Sequence, residues 1–244
     1  MMKLLTGAAL AATMLVQSAQ AETTPILEIA WFKLQPGVGD AQFVAGAQHV
    51  QDHFLPRFDG RIYRELLSQN DGDYWIDTIH WQSVGDFQKA AEEILTDADG
   101  AAIMNLIDPS TMAWFHADQV RHWQADDVPQ GDGHTEIQVF RLVAPGSEIE
   151  FQVPTTDEEF LLAADAIQET LLEQAGFVDR ALFQTADGWW VDLIHWDSKA
   201  SADTANSTLM ADVADMDSVV AQFIFKIDPK SLKTFGMDQE RVWW

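Results

Sequence analysis

Cysteine is missing altogether from the 244 residues. Disulfides, thiolate metal sites and thiol nucleophiles are therefore excluded, and stability must come from burial. Basic residues are scarce: 14 Lys and Arg stand against 39 Asp and Glu, a formal net charge of −25. Such a chain does not hold nucleic acid or anionic lipid by electrostatics, and the acidic excess reads as a solvated surface. No Gly-rich phosphate or dinucleotide loop occurs, and no nucleophile elbow. Beyond Ala21 no run is apolar enough to cross a membrane, so no membrane insertion is expected of the mature chain.

The first residues read as a leader. Met1-Met2-Lys3 is a short basic start, Leu4 to Val16 is apolar, and Ala19-Gln20-Ala21 is an A-x-A cleavage site. A signal peptide over 1–21, cleaved after Ala21, implies a periplasmic or secreted protein.

The whole chain is 47% hydrophobic, and its ten tryptophans all lie beyond the leader, so what remains can build a sizeable core. It is also written twice. Trp75-Ile76-Asp77-Thr78-Ile79-His80-Trp81 returns as Trp190-Val191-Asp192-Leu193-Ile194-His195-Trp196, each followed by one residue and a serine, Ser83 or Ser198. Ile107-Asp108-Pro109 returns as Ile227-Asp228-Pro229. Asp118-Gln119-x-Arg121-x-Trp123 returns as Asp238-Gln239-x-Arg241-x-Trp243. A period of roughly 110 residues suits a duplicated small domain rather than a solenoid. The reading is a first domain over 22–124, a breaker-rich linker over 125–133 and a second domain over 134–244.

Each copy reads strand, helix, strand, strand, helix, strand. In copy one, Ile26 to Leu34 is β-prone. Asp40 can cap a helix carrying Phe43, Ala47, Val50 and Phe54 on one face, and Asn70-Asp71-Gly72 marks a hairpin between Arg61–Gln69 and Asp73–Trp81. Ser83 caps a second helix, Gly100 to Leu106 forms a short helical piece, and Ser110 to His116 is a fourth strand. Copy two repeats the order from Glu136, with Thr156 or Asp157 opening its first helix, Ser198 capping the next and Ser231 to Phe235 as last strand. The tails beginning at Asp118 and Asp238 are expected to follow those strands as ties, an Arg stacked on a Trp serving as clasp. The fold class is α+β: two tandem ferredoxin-like βαββαβ domains forming an intramolecular pseudo-two-fold α/β barrel. The chain is a self-contained pseudo-dimer, and a higher oligomer is left open.

This order of elements, with a third strand ending Trp-x-Ser before an alanine-rich helix, resembles the dimeric α/β-barrel superfamily of antibiotic-biosynthesis-monooxygenase-like and stress-responsive domains. The resemblance implies a pocket between helices and sheet, faced by the Trp before the Ser. It implies cofactor-independent oxygenation or isomerisation if the protein is an enzyme. Haem degraders of the superfamily carry a histidine on the second helix. Neither Ser83–Leu106 nor Ser198–Lys226 contains one, and no cofactor is expected.

Strand alternation divides the duplicated segment. Trp75, Asp77, Ile79 and Trp81 share one face with the equivalents Trp190, Asp192, Ile194 and Trp196, whereas His80 and His195 lie on the other. Trp75, Trp81, Trp190 and Trp196, with His80 and His195, are the candidate binding residues. A carboxylate among indoles is desolvated, so Asp77 and Asp192 are the candidate general bases. The competing reading makes both aspartates structural acceptors for a Trp N–H or for Arg64 or Arg180. His49 and His53, at i and i+4, have metal spacing. Copy two has Asp165 and Glu169 there and no third ligand is evident, so they read as a solvent-facing pair and no metal is expected. The function expected is binding, with or without turnover, of a small apolar or aromatic molecule. The alternative is a non-catalytic interaction module.

Overall fold

The computed structural model describes residues 24–125, 133–146 and 154–244. The proposed signal peptide and most of the proposed linker lie outside the described residues. No helix among the described residues is long and apolar enough to cross a membrane.

The chain forms two compact units. Unit one runs to Asp118 and also takes Gln239–Trp244, and unit two is Gln119–Asp238. Unit one contains β1 (Ile26–Lys33), α1 (Asp40–His53), a 3-10 turn (Leu55–Arg57), β2 (Arg61–Gln69), β3 (Tyr74–Trp81), α2 (Val84–Glu93) and α3 (Ala98–Met104). β4 (Ala113–Gln124) starts in unit one and ends in unit two. Unit two continues with β5 (His134–Phe140), α4 (Asp157–Leu172), β6 (Phe177–Gln184), β7 (Trp190–Trp196), α5 (Lys199–Asp212) and α6 (Val219–Ile224). β8 (Lys233–Trp243) starts there and ends in unit one.

Hydrogen-bonded neighbours run β4-β1-β3-β2-β8 in unit one and β8-β5-β7-β6-β4 in unit two, so the order of strands closes on itself. These central pairings are antiparallel, with β3 flanked by β1 and β2 and β7 by β5 and β6. A central strand is covered on both sides, which is why Trp190–Trp196 is buried at every residue.

The last strands differ from expectation. They extend to Gln124 and Trp243 rather than ending near His116 and Phe235. The tails are strand because each finds a second ladder partner: β4 lies beside β6 and β8 beside β2. Unpaired backbone groups at the end of a strand are costly unless such a partner is supplied.

Local signals hold elsewhere. The Ser83 and Ser198 hydroxyls accept from the backbone N–H of Asp86 at 3.3 Å and of Ser201 at 3.2 Å, capping α2 and α5. Thr156 and Glu159 form a capping box on α4. Asp40 is the first residue of α1 rather than its cap, which is Gly39. Its carboxylate still meets the positive end of the helix dipole. Gly60 and Gly176 both sit at φ 83°, and each carbonyl accepts the N–H that leaves the following hairpin, from Gln82 and Asp197. A side chain there would be strained, so glycine recurs at both positions.

Each unit has its own core between helices and sheet. In unit one it joins Phe32, Phe43, Val50, Trp75, Trp81 and Phe87. In unit two it joins Phe140, Phe160, Ile167, Trp190, Trp196 and Phe223.

Candidate functional site

Asp77 sits at the middle of β3, on the face that meets the helices, opposite Ala30 on β1 and Leu66 on β2. Its partner comes from β2. Arg64 donates from Nε to Asp77 Oδ1 at 2.8 Å and from Nη2 to Oδ2 at 2.5 Å, and from Nη1 to the Ala47 carbonyl of α1 at 3.0 Å. Trp243 lies over the guanidinium at 4.8 Å and donates its indole N–H to Gln48 at 3.0 Å. Unit two builds the same device. Arg180 donates to Asp192 at 2.8 and 2.7 Å and to the Ala164 carbonyl at 3.3 Å, with Trp123 over it at 5.2 Å. Two-point pairing fits the planar fork of Arg, and the helix carbonyl uses a further N–H. The clasp thus stacks the tail tryptophan on the buried arginine of the hairpin, not on the tail's own arginine.

The expected indoles are core residues. Trp75 packs edge-on against Phe43 at 4.9 Å, and Trp190 lies 4.7 Å from Phe160. Trp81 and Trp196 are buried with their N–H groups aimed at carboxylates that sequence reasoning missed. Trp81 Nε1 donates to Glu28 Oε2 at 2.8 Å, and Trp196 Nε1 to Glu136 Oε2 at 3.0 Å. Glu28 receives a second indole donor, Trp114, at 2.9 Å, whereas Glu136 receives Asn206 at 2.5 Å. The signal for both was in the sequence: a lone acid at the same place in each copy's first apolar strand, one residue before Ile29 and Ile137.

Burial pushes the Glu28 carboxyl up from 4.5 to about 7, the Asp77 charge adding to the rise while Trp81, Trp114 and Arg64 hold it down. Burial raises Glu136 as well, opposed by Asn206, Trp196 and His134.

His80 and His195 are on the opposite face, as alternation requires. His80 stacks on Tyr63 at 4.0 Å, and His195 Nδ1 meets Asp179 Oδ1 at 2.7 Å. His49 and His53 stack at 4.3 Å. His49 Nε2 bonds Asp99 at 2.8 Å, and no group of three or more metal-type ligands occurs among the described residues.

A cavity opens beside the unit-one ion pair. Its free volume, counted for the centre of a water-sized sphere, is about 50 Å³. That is room for a few waters or one small molecule, below the range of drug-sized sites. Its polar wall is Glu28, Arg64 and Asp77, and its apolar wall includes Ile103, Ile107, Met112 and Trp114. Asp77 lines it, while Trp75 and Trp81 lie in the core around it. The equivalent ground in unit two carries a larger side chain. Phe223, at the place of Ile103, lies 5.0 Å from Arg180 and 5.4 Å from Phe160. The consequence is visible at the carboxylates, Asp77 being 15% exposed and Asp192 1%.

Comparison with solved structures decides the fold. A candidate monooxygenase from Fusobacterium nucleatum superposes with a TM-score of 0.65 at 12% identity, over 91% of this chain and 95% of that one. An anthrone oxidase-like protein gives 0.62 at 14% identity, over 92% and 94%. A chlorite dismutase variant from Candidatus Nitrospira defluvii gives 0.56 at 10% identity, over 91% and 93%. The fold is that of the dimeric α/β barrels. No protein-family model matches the sequence, and no curated protein matches it.

Proposed function

We propose that the protein binds a small, largely apolar, uncharged molecule in the helix–sheet cavity of unit one, and that Glu28 exchanges a proton with it. One observation carries this reading: a buried carboxyl with a pKa of about 7 opens on an apolar cavity. A proton-transfer group works best when its pKa is close to the ambient pH. An uncharged ligand follows from the neighbours. The three Arg64 nitrogens are committed to Asp77 and Ala47, and the Asp77 charge repels anions. Asp77 and Asp192, the bases expected from sequence, are each closed in a two-point ion pair. We assign them to holding Arg64 and Arg180, and the acid–base role to Glu28.

The reaction class we carry over is cofactor-independent oxygenation or isomerisation, either of which starts by removing a proton from the bound molecule. The names monooxygenase and anthrone oxidase-like, attached to proteins of this fold, support that choice. We also propose that the chain arose by duplication of a ferredoxin-like domain, and that it is exported after cleavage at Ala21. A non-catalytic module is the second reading, favoured by the small cavity and by the Phe223 ring that stands beside Arg180 in unit two.

Phenol, a small neutral ring with one weakly acidic hydroxyl, is a suitable probe. Titration followed by native mass spectrometry should show one saturable equivalent per chain. Glu28→Gln should weaken it about tenfold, the worth of one hydrogen bond to a charged group. No saturation up to millimolar phenol would support the module instead.

A further inference from the structure

Unit one differs from unit two at a second titratable position beside the cavity carboxyl. In the β1–β4 register His116 stands directly opposite Glu28, and Trp114 opposite Ala30. Directly paired residues share a face, with Cβ atoms about 4.5–5.5 Å apart. The His116 ring packs on Phe87 of α2 at 4.9 Å, and Phe87 in turn meets Trp114 edge-on at 6.3 Å. Glu28, buried under Trp81 and Trp114, thus has a half-buried imidazole as its cross-strand neighbour, on the strand that continues to exposed Asp118. In unit two the residue opposite Glu136 is Gly236, and the residue opposite Gln138 is Thr234. The imidazole near Glu136 is instead His134, two residues before it on β5 itself, whose charge acts on Glu136 and whose Nδ1 meets Asp238 at 3.4 Å.

We propose that His116 is the proton relay between Glu28 and solvent. The inference rests on Glu28 being the acid–base group of unit one. When the carboxyl releases its proton, an imidazole nitrogen takes it through intervening water, and the imidazolium passes it to bulk water. The reverse sequence recharges the carboxyl. Charge and protons balance at each transfer, with no other reactant. The charges facing Glu28 are Asp77 and Arg64, from β3 and β2, and the charge acting on His116 is Asp118. Burial holds His116 below its ordinary value, Asp118 opposing it, so the imidazole gives up a proton more readily than a free one and can hand it on to solvent.

The test is NMR of the whole chain carrying ¹³C-labelled glutamate and histidine. In the wild type, Glu28 should give one averaged carboxyl signal that moves with pH, and His116 should show a second step as Glu28 ionises. Glu28→Gln should remove that second step. His116→Phe and His116→Gln should slow exchange at Glu28 at least about tenfold, splitting or broadening its signal, and free imidazole should restore the averaging. Averaging that is unchanged in both His116 variants would overturn the relay while leaving Glu28 as the acid–base group. A Glu28 that does not titrate between about pH 6 and 8 would overturn both.

Discussion

Glu28 has the most altered environment of any carboxyl in unit one, and its effect on folding has a definite sign. The folded protein holds this proton up to about pH 7, whereas an unfolded glutamate loses it near 4.5. The stability due to protonated Glu28 is therefore fully present below 4.5 and is lost as pH rises through 7. The difference of about 2.5 units corresponds to roughly 3 kcal/mol. Glu28→Gln removes the group that titrates, so the stability of the variant relative to wild type should rise by about 3 kcal/mol between pH 4.5 and pH 8. Urea unfolding across that range measures it, and a constant difference would show that Glu28 is not desolvated. Glu136 retains its own dependence in both proteins. Alternation in the duplicated strand was enough to place Asp77 and Asp192 on the helix-facing side. It could not show which cation would meet them, because Arg64 and Arg180 arrive from a neighbouring strand through a register that includes a bulge. Glu28 was harder to see, since a single acid in an apolar strand looks like a solvent-facing residue until Trp81 and Trp114 converge on it.

Among the elements, β4 and β8 were the least legible. Their polar, half-exposed second halves lack the apolar runs that mark a strand, and their extension depends on a ladder partner far away in sequence. The structural consequence is that the C-terminal residues complete unit one. Gln239 donates to Glu65 at 2.7 Å, Ser68 donates to Glu240 at 2.7 Å, and Trp243 covers Arg64. Trp243→Ala removes an indole stacked on a buried guanidinium and leaves Gln48 without its donor. A loss of about 2–3 kcal/mol is expected, combining a desolvated cation–π contact with part of the side chain's burial. The Arg64–Asp77 pair also becomes more solvated, so phenol binding should weaken together with stability. Urea midpoints and phenol titration of the same variant check both. A variant as stable as wild type would show that the tail is merely adjacent to the arginine. The helix caps were read correctly because the relevant contact is local: Ser83 and Ser198 need only the backbone three residues on.

For the molecule as a whole, the informative feature is how two units with one order of elements differ. Both keep the Arg–Asp pair, the helix carbonyl that receives it, the Trp on the guanidinium and a Glu under an indole. A feature kept in both units is explained by burial, since a buried guanidinium needs a counter-charge wherever it occurs. Trp114 and His116, whose places in unit two are taken by Thr234 and Gly236, and the cavity beside Ile103 are not needed for that purpose. Ile103 and Phe223 allow a direct exchange of the difference. Ile103→Phe should put a ring beside Arg64 as Phe223 does beside Arg180, filling space that is already empty. The expected change in stability is within about 1–2 kcal/mol, because overpacking is relieved by the existing void. Phenol binding should nevertheless fall from one equivalent to none. The opposite change, Phe223→Ala, should cost about 3–5 kcal/mol and open a void next to Asp192. Because Gly236 and Thr234 supply neither the cross-strand imidazole nor the second indole, that void should take up phenol more weakly than the cavity of unit one. If Ile103→Phe bound phenol as well as wild type, the ligand would have to sit outside the helix–sheet cavity, and the asymmetry between units would be a matter of packing alone.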